Sequence, residues 1–210
     1  MTKTQYFVID PHVHTPYSTC ARTSFLGLLS WASRKNLNGL VVTDHDTFRG
    51  FDKMKKHAKS TEITIYRGIE VSTLEGHLLI FGGTDVPPSG QLRSYEILDQ
   101  IKDEGGVAIA AHPFRYQGSS GFFRNSHSLG DLSYKLDING VELNASCSKH
   151  ENDMARVVAK TRDLALLGGS DAHRDQDLGK LVTGFYDRIE DEAALIQAIR
   201  SRRSRPLAYY

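Results

Sequence analysis

Short apolar runs with the composition of β-strands recur along this chain, and most of them are separated by segments of helical spacing. The runs span residues 6–9, 39–43, 63–70, 77–82, 107–111, 140–144 and 164–169. Strands that alternate with helices pair in parallel, and the helices cover their outer face. No Gly-x-Gly-x-x-Gly turn follows the first run, which disfavours a dinucleotide-binding fold. We therefore expect an α/β barrel.

The segments between these runs complete the pattern. Helices are expected near 25–36, 50–60, 92–104, 151–161 and 191–200, with a further strand at 181–186. Segment 114–133 has no periodicity and is expected to be a long functional loop. The one basic run, 200–205, is expected to be the solvated end of the last helix, with nucleic-acid contact as the alternative.

Size and composition favour a single cytoplasmic domain over residues 1–210. The formal net charge of +1 gives no global field that would attract long nucleic acid or a membrane. The first residues lack the pattern of a secretory signal, and no apolar run approaches the ~18 residues of a membrane span. The chain contains two cysteines, Cys20 and Cys147, which a reducing compartment would keep as thiols. The oligomeric state is not indicated.

Two histidines, His12 and His14, follow the first apolar run with one residue between them. In an extended segment, positions two apart point the same way, so both imidazoles can face one centre. Alone, such a pair is more typical of polar surface, because two ligands rarely hold an ion.

The ends of the other runs carry ionisable residues as well. They are Asp44, His45, Asp46, Glu70, His77, His112, Glu142, Asp171 and His173. Because the carboxyl ends of the strands meet at one face of an α/β barrel, we expect these side chains to converge there. The remaining histidines, His57, His127 and His150, fall in helix or loop segments.

Imidazoles together with Glu70 and Asp171 suit Zn, Mn or Fe, and more than four ligands imply more than one divalent ion. Two ions about 3.5–4 Å apart lower the pKa of a shared water and neutralise charge on a substrate oxygen. This arrangement is typical of the hydrolysis of phosphate esters.

Five motifs in this order resemble those of the PHP (polymerase and histidinol phosphatase) family. They are Asp10-x-His12-x-His14, Thr43-Asp44-His45-Asp46, Gly68-Ile69-Glu70, Ala111-His112-Pro113 and Gly169-Ser170-Asp171-Ala172-His173. The resemblance implies a distorted seven-stranded (β/α)7, TIM-like barrel of the PHP type. It also implies a site of two or three metal ions that hydrolyses phosphoesters.

The resemblance further implies how the ligands are shared. A first ion would be held by His12, His14, Glu70 and Asp171. Glu70 would bridge to a second ion held also by His77 and His112, and a third would use His45 and His173. Relatives often complete the third site with Asp or His shortly after the second histidine, where this chain has Ser18, Thr19 and Cys20. Cys20 is either a thiolate ligand or a small filler. Without a third ion, His45 and His173 would contact a weakly held metal or the substrate phosphate.

Several carboxylates next to the ligands have supporting roles in this hypothesis. Asp10 and Asp46 would accept the second N–H of a liganding imidazole, although Asp10 is as well suited to capping the turn beside Pro11. Asp44 would do the same or take a proton during catalysis. Glu142 and Asn144 would orient a ligand or a sugar hydroxyl.

Substrate phosphate also needs a cationic partner, and Arg115, three residues after His112, suits a bidentate grip. We therefore predict Asp44, Asp46 and Arg115 as catalytic residues. Some nucleotide-hydrolysing PHP proteins look similar here, with an Arg-Tyr pair after the His-Pro. Lesser candidates are Arg22, Arg124 and Arg174 for phosphate, and Tyr17, Tyr116, Phe122 and Phe123 for stacking on a base.

The function that these predictions favour is hydrolysis of a small phosphorylated substrate, a phosphomonoester or nucleotide-type molecule, by a metal-activated hydroxide. One alternative is an exonuclease that trims short oligonucleotide ends. Another is a metal-stabilised interaction module without catalysis.

Overall fold

The computed structural model describes residues 6–83, 92–116 and 127–208, and within these ranges it contains nine strands and five α-helices. In chain order they are β1 (Phe7–Val13), α1 (Phe25–Arg34), β2 (Gly39–Val42), α2 (Arg49–His57), β3 (Thr64–Ser72), β4 (His77–Phe81), α3 (Ser94–Asp103), β5 (Val107–Ala110), β6 (Gly140–Asn144), α4 (Lys149–Arg162), β7 (Ala165–Gly169), β8 (Leu181–Phe185), α5 (Glu192–Arg200) and β9 (Ser204–Ala208). Short 3-10 turns occupy Ala58–Ser60, Gly130–Tyr134 and Asp175–Asp177.

Side-chain caps account for where α1 and α4 begin. The side chain of Ser24 accepts the N–H of Gly27 at the start of α1. At the start of α4, Ser148 and Glu151 form a capping box in which each side chain accepts the backbone N–H of the other. Each helix then buries an apolar face against the sheet, as Leu28, Leu29 and Ala32 do for α1.

The strands form one sheet in the order β7-β6-β5-β4-β3-β2-β1-β8-β9, and the sheet is nearly closed. The backbone N–H of Gly168 in β7 donates to Thr183 Oγ1 of β8 at 3.0 Å, and this hydroxyl lies 2.9 Å from the Gly168 carbonyl. Next to this contact, Val13 at the end of β1 forms a bridge with Ala172. The expected α/β barrel is confirmed in this form, whereas the structure does not show the count of seven strands.

The pairing of β4 differs from the parallel arrangement that the sequence analysis expects. Strand β4 is antiparallel to β3, because the connection after Ser72 is a short turn with no room for a crossover helix. It is also antiparallel to β5, although α3 lies between these two strands in the chain. Gly76 in this turn lies at a φ of +156°, and an added Cβ would meet the backbone at Leu129. The hairpin pairs Ser72 with His77, so His77 begins its strand beside the carboxyl end of β3.

The expectation for the basic run is wrong beyond Arg202. Helix α5 ends at Arg200, and Ser204–Ala208 forms an edge strand antiparallel to β8. Arg205 is exposed while Leu207 is half-buried, and Pro206 fits because it lies in an edge strand. The strand has only five residues and a proline among them, so its sequence does not show the alternating pattern that is typical of a strand.

The buried apolar side chains hold the strands in register below the site. One cluster joins Ile9, Val41, Leu79, Ile109 and Leu167 to the inner face of α5. Two further clusters lie under α1 with α2 and under α3 with α4. Within the described ranges, none of the helices has the length and apolar character needed to cross a membrane.

Candidate metal centre

Four of the predicted ligands meet in one buried pocket where the barrel strands end. His12 and His14 come from the end of β1 and the residue after it, Glu70 from β3 and Asp171 from the turn after β7. One ligand atom of each lies within 4.8 Å of the others, and all four residues are buried. The structure thus brings together residues that are up to 159 positions apart (171 − 12).

The spacing of these atoms matches a coordination shell. His12 Nε2 and His14 Nε2 are 3.1 Å apart, and each lies 3.2 Å from Glu70 Oε2. Asp171 Oδ1 lies 3.3 Å from the first imidazole nitrogen and 3.1 Å from the second. Bonds of about 2.0 Å, typical of zinc with nitrogen and oxygen, give a tetrahedron with edges of about 3.3 Å. The four atoms therefore fit one divalent ion.

Hydrogen bonds on the outer side of both imidazoles direct their lone pairs into the pocket. His12 Nδ1 lies 2.8 Å from Glu142 Oε1 and donates to it, which leaves Nε2 without a proton in the neutral ring. His14 Nδ1 lies 3.0 Å from the hydroxyl of Ser18, which in turn donates to Asp44 Oδ1 at 2.6 Å. Both Nε2 atoms are thereby available as ligands.

The electrostatics of the pocket favour positive charge at its centre. Burial alone would raise the pKa of Glu70, but the neighbouring His12 and His77 outweigh it and hold that pKa well below its usual range. The pKa of Asp171 is likewise lowered despite burial, chiefly by His12. Burial would lower the pKa of His12, but the carboxylates around it hold that pKa well above its usual range. A divalent ion would supply this positive charge without protonating the ligands.

Glu142 supports two predicted ligands at once. Besides His12, it accepts the backbone N–H of His112 through Oε2 at 2.8 Å. Asn144 donates its amide to the same Oε2 at 3.0 Å. Gly169 gives Glu142 room, because a Cβ there would overlap Glu142 Oε1. Of the roles left open for Glu142 and Asn144, the geometry favours orientation of metal ligands.

A second group of ligands surrounds the other side of Glu70. His45, Glu70 and His77 bring one ligand atom each within 4.8 Å of one another. The Nδ1 atoms of His45 and His77 lie 3.2 Å and 2.8 Å from the two oxygens of Glu70. Glu70 is therefore placed to bridge two ions, as the resemblance implies, but with His45 grouped beside His77 in this structure.

His112 approaches the same carboxylate from another direction. Its Nε2 lies 3.0 Å from Glu70 Oε1, while its buried Nδ1 has no hydrogen-bond partner among the described residues.

Three residues of the site have left-handed backbone conformations. The φ angle is +31° at His112, +55° at Asp46 and +53° at Asp171. Left-handed conformations at three non-glycine positions are typical of functional sites that hold strain. His112 stays a predicted ligand.

The predicted third site is also assembled. His14, His45 and His173 bring one ligand atom each within 4.8 Å of one another. Cys20 Sγ lies 3.2 Å from His173 Nε2, and partial burial of the thiol raises its pKa although the residue as a whole is exposed. Cys20 is exposed, so the role of a buried filler does not fit it. Ligation by Cys20 stays a prediction.

The three aspartates beside the ligands have distinct contacts. Asp10 accepts backbone N–H groups from Ser170 at 3.0 Å and Gly179 at 2.9 Å, and so ties β1 to the segments after β7. Pro11 lies within β1, so there is no turn beside it for Asp10 to cap. Burial raises the pKa of Asp10 to about 6. Asp44 accepts from Thr15 and Ser18, so it acts on His14 through the Ser18 hydroxyl.

Asp46 accepts the backbone N–H and the hydroxyl of Ser72 at 2.8 and 3.0 Å. This contact ties the segment after β2 to the end of β3. Catalytic roles for Asp44 and Asp46 stay predictions, and the contacts favour positioning.

Arg115 lies in the pocket, as predicted. Its Nη1 is 2.5 Å from Asp171 Oδ2 and 3.1 Å from Ser146 Oγ, and its Nη2 is 2.9 Å from His112 Nε2. Asp171 raises the pKa of Arg115 against the effect of burial, so the guanidinium stays charged.

The other substrate candidates are exposed, contact other parts of the chain or fall outside the described residues. Tyr116 is exposed, and the Tyr17 ring packs under the Arg49 guanidinium at 5.3 Å. Arg22 donates its backbone N–H to the carbonyl of His173. Arg174 is exposed, and its backbone carbonyl accepts the N–H of Asp177. Arg124, Phe122 and Phe123 lie outside the described residues.

Two side chains that were not predicted to belong to the site form hydrogen bonds with the imidazole rings of predicted ligands. Ser18 joins Asp44 to His14, and His127 Nδ1 lies 2.9 Å from His77 Nε2. A serine four residues after a histidine, or a histidine in a loop, carries no local signal that would reveal such a contact.

Comparison with known proteins agrees with this geometry. A family model described as PHP-associated matches residues 149–204. The uncharacterized protein MJ1587 of Methanocaldococcus jannaschii is 32% identical over 145 residues, which cover 64% of this chain and 79% of that protein. This chain belongs to the PHP family. The resemblance seen in the five motifs is thereby confirmed.

Solved structures share the PHP-like fold at low sequence identity. A two-domain protein of Bacteroides vulgatus, described as containing a predicted PHP-like metal-dependent phosphoesterase, superimposes with a TM-score of 0.75 at 18% identity, over 98% of this PHP chain and 65% of that one. Endonuclease Q in complex with a 27-mer duplex with an abasic lesion at its active site gives a TM-score of 0.66 at 18% identity, over 94% and 57% of the two chains. At this identity the likeness shows the fold alone.

Proposed function

We propose that this PHP-family chain is a metal-dependent phosphoesterase that acts on a small phosphorylated substrate. The observation that carries the proposal is the buried set of His12, His14, Glu70 and Asp171: the two imidazole nitrogens lie 3.1 Å apart, and each lies 3.1–3.3 Å from an oxygen of both carboxylates. Such a set of electron-pair donors requires a cation among them.

The chain's residues would divide between two or three divalent ions of Zn, Mn or Fe. His12, His14, Glu70 and Asp171 would hold the first. Glu70 would share a second with His77 and with His45 or His112, and His45 with His173 would serve a third. Bound divalent ions would polarise a phosphoryl oxygen and lower the pKa of an attacking water.

Arg115 would hold the phosphate of the substrate. Its guanidinium is mostly buried, and it stays charged beside Asp171 and His112. Two parallel N–H groups of an arginine match two phosphate oxygens, which fixes the orientation of the phosphorus atom. The exposed ring of Tyr116 follows directly, so an aromatic face adjoins the phosphate-binding residue. This pairing supports a nucleotide-type substrate ahead of a sugar phosphate.

The test uses the whole chain loaded with Mn²⁺ or Zn²⁺, with metal content verified. Phosphate release is measured from an aryl phosphate, from mononucleotides and from short oligonucleotides, for the wild type and for His14→Ala and Asp171→Ala. The proposal predicts release by the wild type and a loss of about 100-fold or more in both variants. His150→Ala, an exposed histidine of α4, serves as the matched control and should keep wild-type rates.

Each contrary outcome identifies another function. Release only from oligonucleotides of several residues, with rates that fall steeply as salt is added, would identify an exonuclease instead. A metal-loaded wild type that is as inactive as both variants on the whole panel would leave a metal-stabilised module without catalysis.

A further inference from the structure

His127 makes two contacts with the first residue of β4. Its Nδ1 lies 2.9 Å from His77 Nε2, and its backbone carbonyl accepts the N–H of His77 at 3.4 Å. The two rings meet edge to face with their centroids 4.8 Å apart. His127 is half-buried and His77 is buried, so this contact lies at the wall of the pocket.

The contact constrains which nitrogen of His77 carries a proton. His77 faces Glu70 Oε1 through Nδ1 at 2.8 Å, whereas His12, His14 and His112 face the pocket through Nε2. If Nδ1 is to be a ligand, the proton of neutral His77 must be on Nε2, and that N–H needs an acceptor. His127 Nδ1 lies within hydrogen-bond distance of this nitrogen, at 2.9 Å, and an unprotonated Nδ1 can accept the N–H.

We infer that His127 is a positioning residue: it accepts the Nε2–H of His77 and so presents the Nδ1 lone pair beside Glu70 to a divalent ion. This inference rests on the metal site of the proposed function. It assigns to His77 the opposite tautomer from His12, which donates through Nδ1 to Glu142. His127 thus does for the second ion what Glu142 does for the first.

The experiment compares His127→Ala and His127→Asn with the wild-type chain. Asparagine is the conservative variant, because its Oδ1 stands as far along the side chain as Nδ1 of histidine and can accept the same N–H. His150→Ala, an exposed histidine of α4, controls for the loss of an imidazole. Zn²⁺ stoichiometry and affinity are measured by competition with a chromophoric chelator. The tautomer of His77 is read from long-range ¹H–¹⁵N spectra of the Zn²⁺-loaded protein.

The expected result is that His127→Ala weakens one Zn²⁺ equivalent about 10- to 100-fold and leaves the tightest equivalent unchanged. The Nε2–H signal pattern of His77 should be lost in this variant, while His127→Asn restores both. Unchanged affinity together with an unchanged His77 tautomer in His127→Ala would overturn the inference. So would a Zn²⁺-loaded wild type in which His77 carries its proton on Nδ1.

The outcomes separate this inference from the proposed function. If the wild type binds Zn²⁺ and His127→Ala behaves as expected, but no phosphoester is hydrolysed, the positioning role stands and the proposed activity falls. If the wild type binds no Zn²⁺, both fail.

Discussion

Glu142 Oε1 accepts the Nδ1–H of His12 at 2.8 Å, and both side chains are fully buried. The contact joins residues 130 positions apart, and it fixes the orientation of the imidazole as well as its tautomer.

Replacement of Glu142 by glutamine should weaken metal binding without removing a ligand. Glu142 accepts one N–H on each of its two oxygens, whereas a glutamine amide has one accepting oxygen and one donating nitrogen. Either His12 or the backbone N–H of His112 therefore loses its acceptor. We expect affinity for the tightest Zn²⁺ to fall about 10- to 100-fold, measured by chelator competition. Glu192→Gln in α5, where the carboxylate also accepts a backbone N–H, is the control and should bind Zn²⁺ as the wild type does. Equal affinities for both variants would contradict the role of Glu142.

The Ser18 hydroxyl should matter although it is not itself a ligand. It accepts from His14 Nδ1 and from the backbone N–H of His45, and it donates to Asp44. Ser18→Ala leaves Asp44 buried with one donor fewer and frees the His14 ring to rotate, so we expect about tenfold weaker metal binding. Isothermal titration with Mn²⁺ measures this change. Ser30→Ala, on the exposed face of α1, should show none, and a wild-type titration for Ser18→Ala would refute the relay.

Arg115 should affect substrate binding rather than metal binding. Because it is predicted to grip the phosphate, Arg115→Ala should raise KM for an active phosphoester about 10- to 100-fold, with metal content at least equal to that of the wild type. Steady-state kinetics together with metal analysis separate the two effects. Arg156→Ala in α4 removes an exposed arginine as a control. A lower metal content with unchanged KM would show that Arg115 supports the ligands instead.

The turn before His77 gives a prediction about stability and pH. Glu75 accepts the backbone N–H and the hydroxyl of Ser94 at 2.7 and 2.9 Å, and these hydrogen bonds, together with the nearby Arg93, lower its pKa below 4.5 despite some burial. Glu75→Gln should cost about 1 kcal/mol of unfolding free energy, as for the loss of a helix cap.

The pH dependence of this cost follows from the direction of the shift. A folded-state pKa below that of the unfolded chain gives stability that is complete above pH 4.5 and is lost as pH falls through the folded-state pKa. In urea titrations the difference between wild type and Glu75→Gln should therefore shrink below pH 4.5. Glu62→Gln, at an exposed loop position, should show no such pH-dependent difference. A Glu75→Gln difference that is constant with pH would contradict the charge-based explanation.

The convergence of several candidate ligands was predictable from sequence because local patterns place them. His12 and His14 directly follow an apolar run, and Asp171 follows the run at 164–169, so one rule about strand ends brings them together. This rule does not cover His77, which begins its strand: the antiparallel hairpin brings the start of β4 to the edge where β3 ends.

Other features depend on contacts that no local pattern encodes. Ser204–Ala208 forms a strand because it pairs with β8, and Pro206 lowers the strand propensity that the sequence alone would indicate. Ser18 and His127 join the site through hydrogen bonds to His14 and His77, and such geometry follows only from the folded backbone. The choice of Nδ1 or Nε2 at each histidine has the same origin.

The metal content of the chain tests the central claim most directly. The protein is purified without chelators, equilibrated with Zn²⁺ or Mn²⁺, freed of excess ion and analysed by mass spectrometry with an inductively coupled plasma, beside Asp171→Ala. The account predicts at least one and up to about three ions per wild-type chain, and at least one fewer in the variant. Two results would contradict the account: a wild-type chain that holds less than about one ion, or an Asp171→Ala chain with the same metal content as the wild type.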